Sequence, residues 1–466
     1  MDLNQLPRPP SASGLPWLGQ LPAFFSDPLR TLCSMSREHG PVCRFRLGPQ
    51  RAVLVTRPED VESVLVDRSR AFDRSGFVGR ILRPLLGDAT SMLEGDTWVR
   101  HRRHVMPAYA SELLPAYFGD TLEVVQGLIE GWETAPEIDV ETEGMRLWLS
   151  GMGRILCGRD LAHEAETILH PVRGALDGLG VALKLGIPLP LWLPLPHLRA
   201  IRRGRRALHA LADQLLHEHR PSAVPSARLL ERLAAISGDA DGKFRARDDL
   251  AVNLAIGAHQ LMTAFSWTLL SLAEDPALQD ELRSRLRGVP ANAAALAGVD
   301  LLDWTIRESL RLHPPFYLIP RVAARPVEIG GFHISPGTMV VTSPWLTQRM
   351  PLYFPAPDAF RPERWRHGAE EVPRFAYFPF GGGPRACVGA RIVPSLLAVA
   401  VGTLLRDHRI VRLGHGRIEP VAGVTLSMSR PLVIQLARVE DAPGDLARSP
   451  HLAKRGKHKQ EAPEPR

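Results

Sequence analysis

The sequence predicts a mainly α domain with minor β structure, folded around one long central helix and a buried site. Three observations carry this. Residues 250–275 (LAVNLAIGAHQLMTAFSWTLLSLAED) are apolar nearly all round, the mark of a helix buried inside a large protein. Only three segments alternate apolar and polar residues in the manner of strands. The chain has 466 residues, 45% hydrophobic and 23% charged, enough for a core that encloses a sizeable cofactor.

The N-terminus (MDLNQLPRPPSASGLPWLGQ) has no basic-then-apolar leader. Residues 1–7 read as an extension ahead of a single domain spanning 8–440. Residues 41–56 (PVCRFRLGPQRAVLVT) alternate around Gly48 and Pro49, which predicts a hairpin. The long helix has Asp248 or Asp249 as its candidate cap and Pro276 as its stop. At 1.5 Å per residue it would run about 40 Å. Its interior polar cluster, His259, Gln260 and Thr263, points to a site. Further β regions are predicted from Pro326 to Val341, and from Arg409 to near Gln435.

From about Ala442 the composition turns polar, and 441–466 is expected to be a disordered basic tail. Residues 447–466 hold Arg448, Lys454, Arg455, Lys457, Lys459 and Arg466 against Glu461 and Glu464. Much of the net charge of +7 therefore sits there, without aromatic residues, and argues against nucleic acid as a partner. No run approaches the roughly 20 apolar residues of a membrane span, so no membrane anchor is expected. Cys33, Cys43, Cys157 and Cys387 lack paired or metal-finger spacing, which fits a reducing cytoplasm. The first three are read as packing residues. Residues 186–206, rich in Pro, Leu and Trp and then in Arg, read as a packed lid loop followed by a solvated basic helix face. A membrane-surface segment is the competing reading.

The most informative segment is 380–389 (FGGGPRACVG). Gly381, Gly382 and Gly383 permit left-handed or closely approaching backbone, so the chain can lie against a flat cofactor. Backbone N–H groups in such a loop can point at the sulfur of Cys387 and favour a thiolate. Gly389 allows close approach where the next helix begins. Arg385 lies within reach of an anionic cofactor group.

Phe380, Gly383, Arg385, Cys387 and Gly389 at this spacing resemble the cysteine signature of the cytochrome P450 family. Four further segments resemble that family in the same order along the chain. Glu308 and Arg311, at i and i+3, share a helix face. Arg364, in 360–365 (FRPERW), would join them in a structural triad. Trp98 and Arg102, at i and i+4, resemble the helix that holds the haem propionates, and Arg321 resembles a further propionate contact. The resemblance covers about residues 8–437. It implies the cytochrome P450 fold around a buried haem b, with Cys387 as the thiolate ligand of the iron. Such a ligand favours O–O cleavage.

Two departures stand out. The family pattern on the long helix is Ala/Gly-Gly-x-Asp/Glu-Thr-Thr/Ser. Here it reads 256–261 (IGAHQL), with Gly257 kept, His259 in place of the acid and Gln260 in place of the alcohol. Oxygen activation needs protons at the distal side. An amide donates a hydrogen bond but does not relay protons as a hydroxyl does. His259 is the candidate proton source near neutral pH, and Thr263 the candidate substitute hydroxyl. The second departure is Pro394, within the first turns of the helix that follows the cysteine.

The resemblance implies a monooxygenase acting on a small hydrophobic, secondary-metabolite substrate. The replaced acid and alcohol keep an alternative open: a haem-thiolate enzyme that dehydrates, isomerises or transfers a nitrogen group without activating dioxygen. A haem-based binder or sensor is the third reading. Electrons would come from a ferredoxin or flavodoxin with its reductase, docked near Arg100, Arg102 and Arg103, with Arg102 reserved for haem. The substrate-facing segments are 72–93, 183–198, 316–319 and 425–428, and Arg74, Arg80 or Arg83 could meet a carboxylate.

Overall fold

The computed structural model describes residues 3–67, 70–74, 76–185, 188–219, 228–236, 240–290, 292–367 and 372–439. The predicted disordered tail lies outside them. The architecture is helical, with small sheets at its margin.

The predicted hairpin forms from β1 (Val42–Leu47) and β2 (Gln50–Val55), paired antiparallel with Leu47 opposite Gln50. Gly48 turns it at φ 59°, the left-handed region glycine reaches without steric cost. The hairpin edges a five-stranded sheet with β3 (Phe72–Asp73), β4 (Ile319–Ala323) and β5 (Met339–Thr342), in the order β1-β2-β5-β4-β3. Phe72 pairs with Ala323 and Asp73 with Val322. That register brings Arg74, the next residue, beside Arg321 of β4.

The helices that shape the site are α1 (Leu21–Ser26), α2 (Phe77–Leu86), α3 (Gly95–Val105), α4 (Val140–Cys157), α5 (Ala162–Leu185) and α6 (Pro196–Glu218). Then come α7 (Ala240–Ala251), α8 (Gly257–Ala273), α9 (Asp300–Leu312) and α10 (Val393–Asp407). Between α7 and α8, Val252–Ile256 forms a π turn, so the two make one long helix widened just before Gly257. Its apolar surface is buried along most of α8, from Ala258 through Leu272.

One expectation is corrected here. Asp248 and Asp249 do not cap the long helix, because it begins earlier, at Ala240. They lie in the last turn of α7 and are nearly fully buried. Each carboxylate is held by donors from other elements. Asp248 accepts from the backbone N–H of Asp88 at 2.8 Å and meets His209 Nε2 at 3.1 Å. Asp249 takes Thr90 N–H at 2.6 Å, Thr90 Oγ1–H at 2.9 Å and the ring of His101. Pro394, the second departure, does not bend a helix. It falls at the start of α10, where its missing N–H has no intrahelical partner to lose.

Candidate active site

The loop of Cys387 is held by its own backbone. Cys387 N–H donates to Phe380 O at 3.0 Å, and Ala386 N–H to Gly383 O at 3.1 Å. Gly381 and Gly383 stand at φ 70° and 67°. A Cβ on Gly383 would meet Leu65 O at 2.1 Å, and one on Gly382 would meet the Phe375 ring at 2.1 Å. Any larger residue at either position would therefore push the loop away from its support.

Cys387 lines a large internal cavity, together with Phe380, Gly381, Arg385 and Gly389 of the same loop. Its surface is open onto that cavity although the residue sits deep in the molecule. Burial raises the thiol pKa. The N–H of Gly389, then the charges of Arg102 and Arg74, oppose that rise. Those donors would hold a thiolate once a metal ion displaced its proton.

Four guanidiniums reach this cavity: Arg74, Arg102, Arg321 and Arg385. Arg102 donates to Ala386 O at 2.8 Å, clasping the cysteine loop to α3. Arg385 donates to Leu93 O at 3.0 Å and pairs with Glu94. Its guanidinium lies 4.4 Å over the Trp98 ring, and that of Arg102 lies 6.0 Å from it. Burial, then the charges of Arg385 and Arg102, lower Arg74 to about 10. Burial, then Arg74 and Arg385, lower Arg321 to about 9. Glu94 pairs with Arg385 and offsets part of this charge. Buried like charges of this kind call for an anionic ligand.

Sequence reasoning assigned Arg74 only to a substrate carboxylate, beside Arg80 and Arg83. The last two lie outside the cavity lining, Arg80 exposed and Arg83 paired with Asp88 at the surface. A signal for Arg74 was present in the strand pairing to β4, which composition does not reveal.

The triad residues meet in the core. Glu308 and Arg311 are completely buried and bidentate, with Nε–Oε2 at 2.9 Å and Nη2–Oε1 at 2.8 Å. Arg364 Nε–H donates to Glu308 Oε1 at 2.9 Å. Two donors were missed from sequence: the backbone N–H of Arg361 to Oε1 and the indole N–H of Trp365 to Oε2, both at 3.0 Å. Arg311 also donates to the carbonyls of Gln348 at 2.8 Å and Pro357 at 2.7 Å. The Gln348 amide oxygen in turn accepts Phe378 N–H at 2.8 Å, two residues before the cysteine loop. The triad therefore supports that loop from behind.

On the long helix, Asp249, Asn253, Gly257, Gln260, Leu261 and Ala264 face the cavity. The Gln260 carboxamide has no hydrogen-bond partner among the described residues. His259 and Thr263 do not line the cavity, against expectation. Rotation of the helix is fixed in part by Trp267, whose indole donates to Leu426 O at 3.1 Å. Thr263 spends its hydroxyl on His259 O at 2.9 Å within the helix. Burial, then the charge of Arg173, lowers the His259 imidazole to about 4. It is neutral at pH 7, and its Nδ1 has no partner among the described residues.

These residues fit a haem: a thiol aimed into the cavity, a glycine loop without room for side chains, and clustered cations suited to two carboxylates. The comparisons agree. The family model for cytochrome P450 matches residues 7–431. The chain is 28% identical to cyclooctat-9-en-7-ol 5-monooxygenase of Streptomyces melanosporofaciens over 88% of this chain and 90% of that protein. It is 26% identical to pentalenene oxygenase of Streptomyces avermitilis, over 91% and 95%. Its fold matches retinoic acid-bound cyanobacterial CYP120A1 with a TM-score of 0.81 at 23% identity, over 94% of this chain and all of that one. The chain belongs to the cytochrome P450 family, and its cofactor is a thiolate-ligated haem.

Proposed function

We propose that this cytochrome P450 is a monooxygenase that inserts one oxygen atom from dioxygen into an apolar small molecule of secondary metabolism. The observation that carries this is the cavity itself. Apolar side chains such as Leu82, Met152, Ile155, Leu261 and Val341 line it together with Cys387, and Gln260 presents to it a carboxamide without a partner among the described residues. The relatives support the substrate class, since their names describe an alkene and an alkenol.

In this reading Cys387 is the iron ligand, and Trp98, Arg102, Arg321, Arg385 and Arg74 form the propionate end. The bound haem supplies the redox and oxygen chemistry. Gln260 donates a hydrogen bond at the reacting face. Because neither His259 nor Thr263 reaches the cavity, ordered water or the substrate's own hydroxyl completes proton delivery there. Gly257 leaves room for that water beside the widened helix. Electrons come from a ferredoxin or flavodoxin with its reductase, in the cytoplasm. On α3, Arg100 and Arg103 are exposed toward such a partner while Arg102 turns inward.

Turnover under isotopically labelled dioxygen, with a surrogate reductase, tests the reading. Label in the product is expected. The position of His259 off the cavity also favours a second reading, in which no dioxygen is activated and the substrate is dehydrated, isomerised or given a nitrogen group. Unlabelled product formed without stoichiometric electron supply would establish that one instead.

A further inference from the structure

A polar patch interrupts the apolar wall of the cavity that holds Cys387. Thr90, Tyr109, Asp249 and Asn253 all line that cavity. Thr90 opens the turn Thr90–Met92 between α2 and α3, and Tyr109 ends the turn that follows α3. Asp249 lies in the last turn of α7, and Asn253 in the π turn. Only the tertiary fold brings the four together. Tyr109 Oη–H donates to Asn253 Oδ1 at 2.7 Å. Asn253 Nδ2–H donates to the backbone oxygen of Asp249 at 2.8 Å. The Asp249 carboxylate holds the Thr90 N–H, the Thr90 hydroxyl and the His101 ring. Ser91, next to Thr90, lines the cavity too, and its buried hydroxyl has no partner among the described residues.

The patch keeps unused hydrogen-bonding capacity. A carboxamide carries two N–H donors and two acceptor lone pairs. Among the described residues Asn253 engages one N–H and one lone pair, so one of each remains. Tyr109 and Thr90 direct their hydroxyl hydrogens into the network and keep lone pairs. Burial raises the Tyr109 pKa, so the phenol holds its proton at neutral pH. Donors and acceptors therefore stand side by side at one place in an apolar cavity. Buried polar groups with unmet capacity are costly unless a partner arrives. An alcohol answers both kinds at once, whereas a ketone or ether oxygen only accepts. A carboxylate would lie against Asp249. An ammonium group would find the Asp249 oxygens already engaged.

We propose that this patch binds a hydroxyl group already present on the apolar substrate, with Asn253 as its principal contact. The substrate is then an alcohol on a hydrocarbon skeleton. A reaction that installs oxygen, by hydroxylation or by capture of water at a carbocation, precedes this one. The π turn fits the assignment, since such turns widen helices at functional sites. Asn253 stands seven residues before Gln260 on the same long helix, roughly 10 Å along its axis. Gln260 marks the reacting face in the monooxygenase reading above, on which this step rests. The carbon that is oxidised therefore lies on the order of 10 Å from the hydroxyl that is held.

The test is titration of the haem-loaded protein with matched pairs: a saturated sesquiterpene or diterpene hydrocarbon and the alcohol of the same skeleton, cedrane with cedrol among them. The haem absorption shift on substrate entry reads the affinity. At least one alcohol is expected to bind about tenfold tighter than its hydrocarbon, the effect of one well-made hydrogen bond. Asn253→Leu/Tyr109→Phe removes amide and phenol together, so no buried hydroxyl is orphaned. In that variant the preference should vanish while hydrocarbon binding is kept. A purely structural patch would lower the variant's urea midpoint and leave the alcohol-to-hydrocarbon ratio as it was. No alcohol preferred over its hydrocarbon in wild type, or a preference unchanged in the double variant, would overturn the proposal. The wild-type ratio carries the test even where the variant fails to load haem. Binding needs no dioxygen, so absence of labelled product would leave an alcohol preference standing. Labelled product from a hydrocarbon bound as tightly as its alcohol would end this proposal alone.

Discussion

The indole N–H of Trp365 donates to Oε2 of Glu308 at 3.0 Å, while Arg364 donates to Oε1 at 2.9 Å. With Arg311 and the backbone of Arg361, every oxygen lone-pair direction of this buried carboxylate is engaged. A fully satisfied buried network is costly to break at any single point. Arg364→Ala should cost about 3–5 kcal/mol and lower haem content, because it leaves part of a buried charge uncompensated. Trp365→Phe, which loses one hydrogen bond to a charged group, should cost about 1.5–3 kcal/mol. Urea unfolding and the haem-to-protein absorbance ratio measure both. Full haem occupancy in Arg364→Ala would refute the structural role.

A second expectation concerns the thiol. Carbon monoxide bound to the reduced protein should give the red-shifted band of thiolate-ligated haem. Cys387→Ser should abolish that band. Cys157→Ser should keep it, because burial pushes the Cys157 thiol up to about 12 and its place is in the packing of α4. A retained band in Cys387→Ser would remove the ligand assignment.

Much of this was legible in the sequence because it is local. The glycines around Cys387, the i, i+3 spacing of Glu308 and Arg311, and the Gly48 turn are dictated within a few residues. What was not legible depends on tertiary register. The π turn at Val252–Ile256 inserts an extra residue into the helix. Asp249, Asn253 and Gly257, four apart, then all face the cavity, whereas His259 does not line it. Nothing in periodicity announces that turn. The burial of Arg74 was likewise not legible, because it depends on the pairing of β3 with β4.

Arg74 makes a third prediction. Its guanidinium is buried among like charges and lines the cavity that holds Cys387. Arg74→Gln should release haem faster, by about tenfold for one charge-assisted contact. Arg80→Gln, on the outer face of α2, should not change the rate. Haem transfer to an apo-globin acceptor reads both. Equal transfer from wild type and Arg74→Gln would return Arg74 to a substrate role.

The last prediction follows from His259. Its folded-state pKa, about 4, lies below the ordinary 6.5. A depressed pKa favours the neutral form, so the native state is stabilised fully above 6.5 and loses that contribution as pH falls toward 4. The contribution is on the order of 3 kcal/mol, the cost of charging a buried imidazole near Arg173. His313, whose burial also lowers its pKa, adds to the same acid sensitivity. His259→Gln keeps polarity at that position and removes the titration. The fall in urea midpoint between pH 7 and pH 5 should therefore be smaller in His259→Gln than in wild type. A proton donor facing the cavity would behave differently: the variant would leak peroxide at pH 7 while its acid sensitivity stayed the same. Measuring both quantities on one variant separates a packed neutral imidazole from a catalytic one.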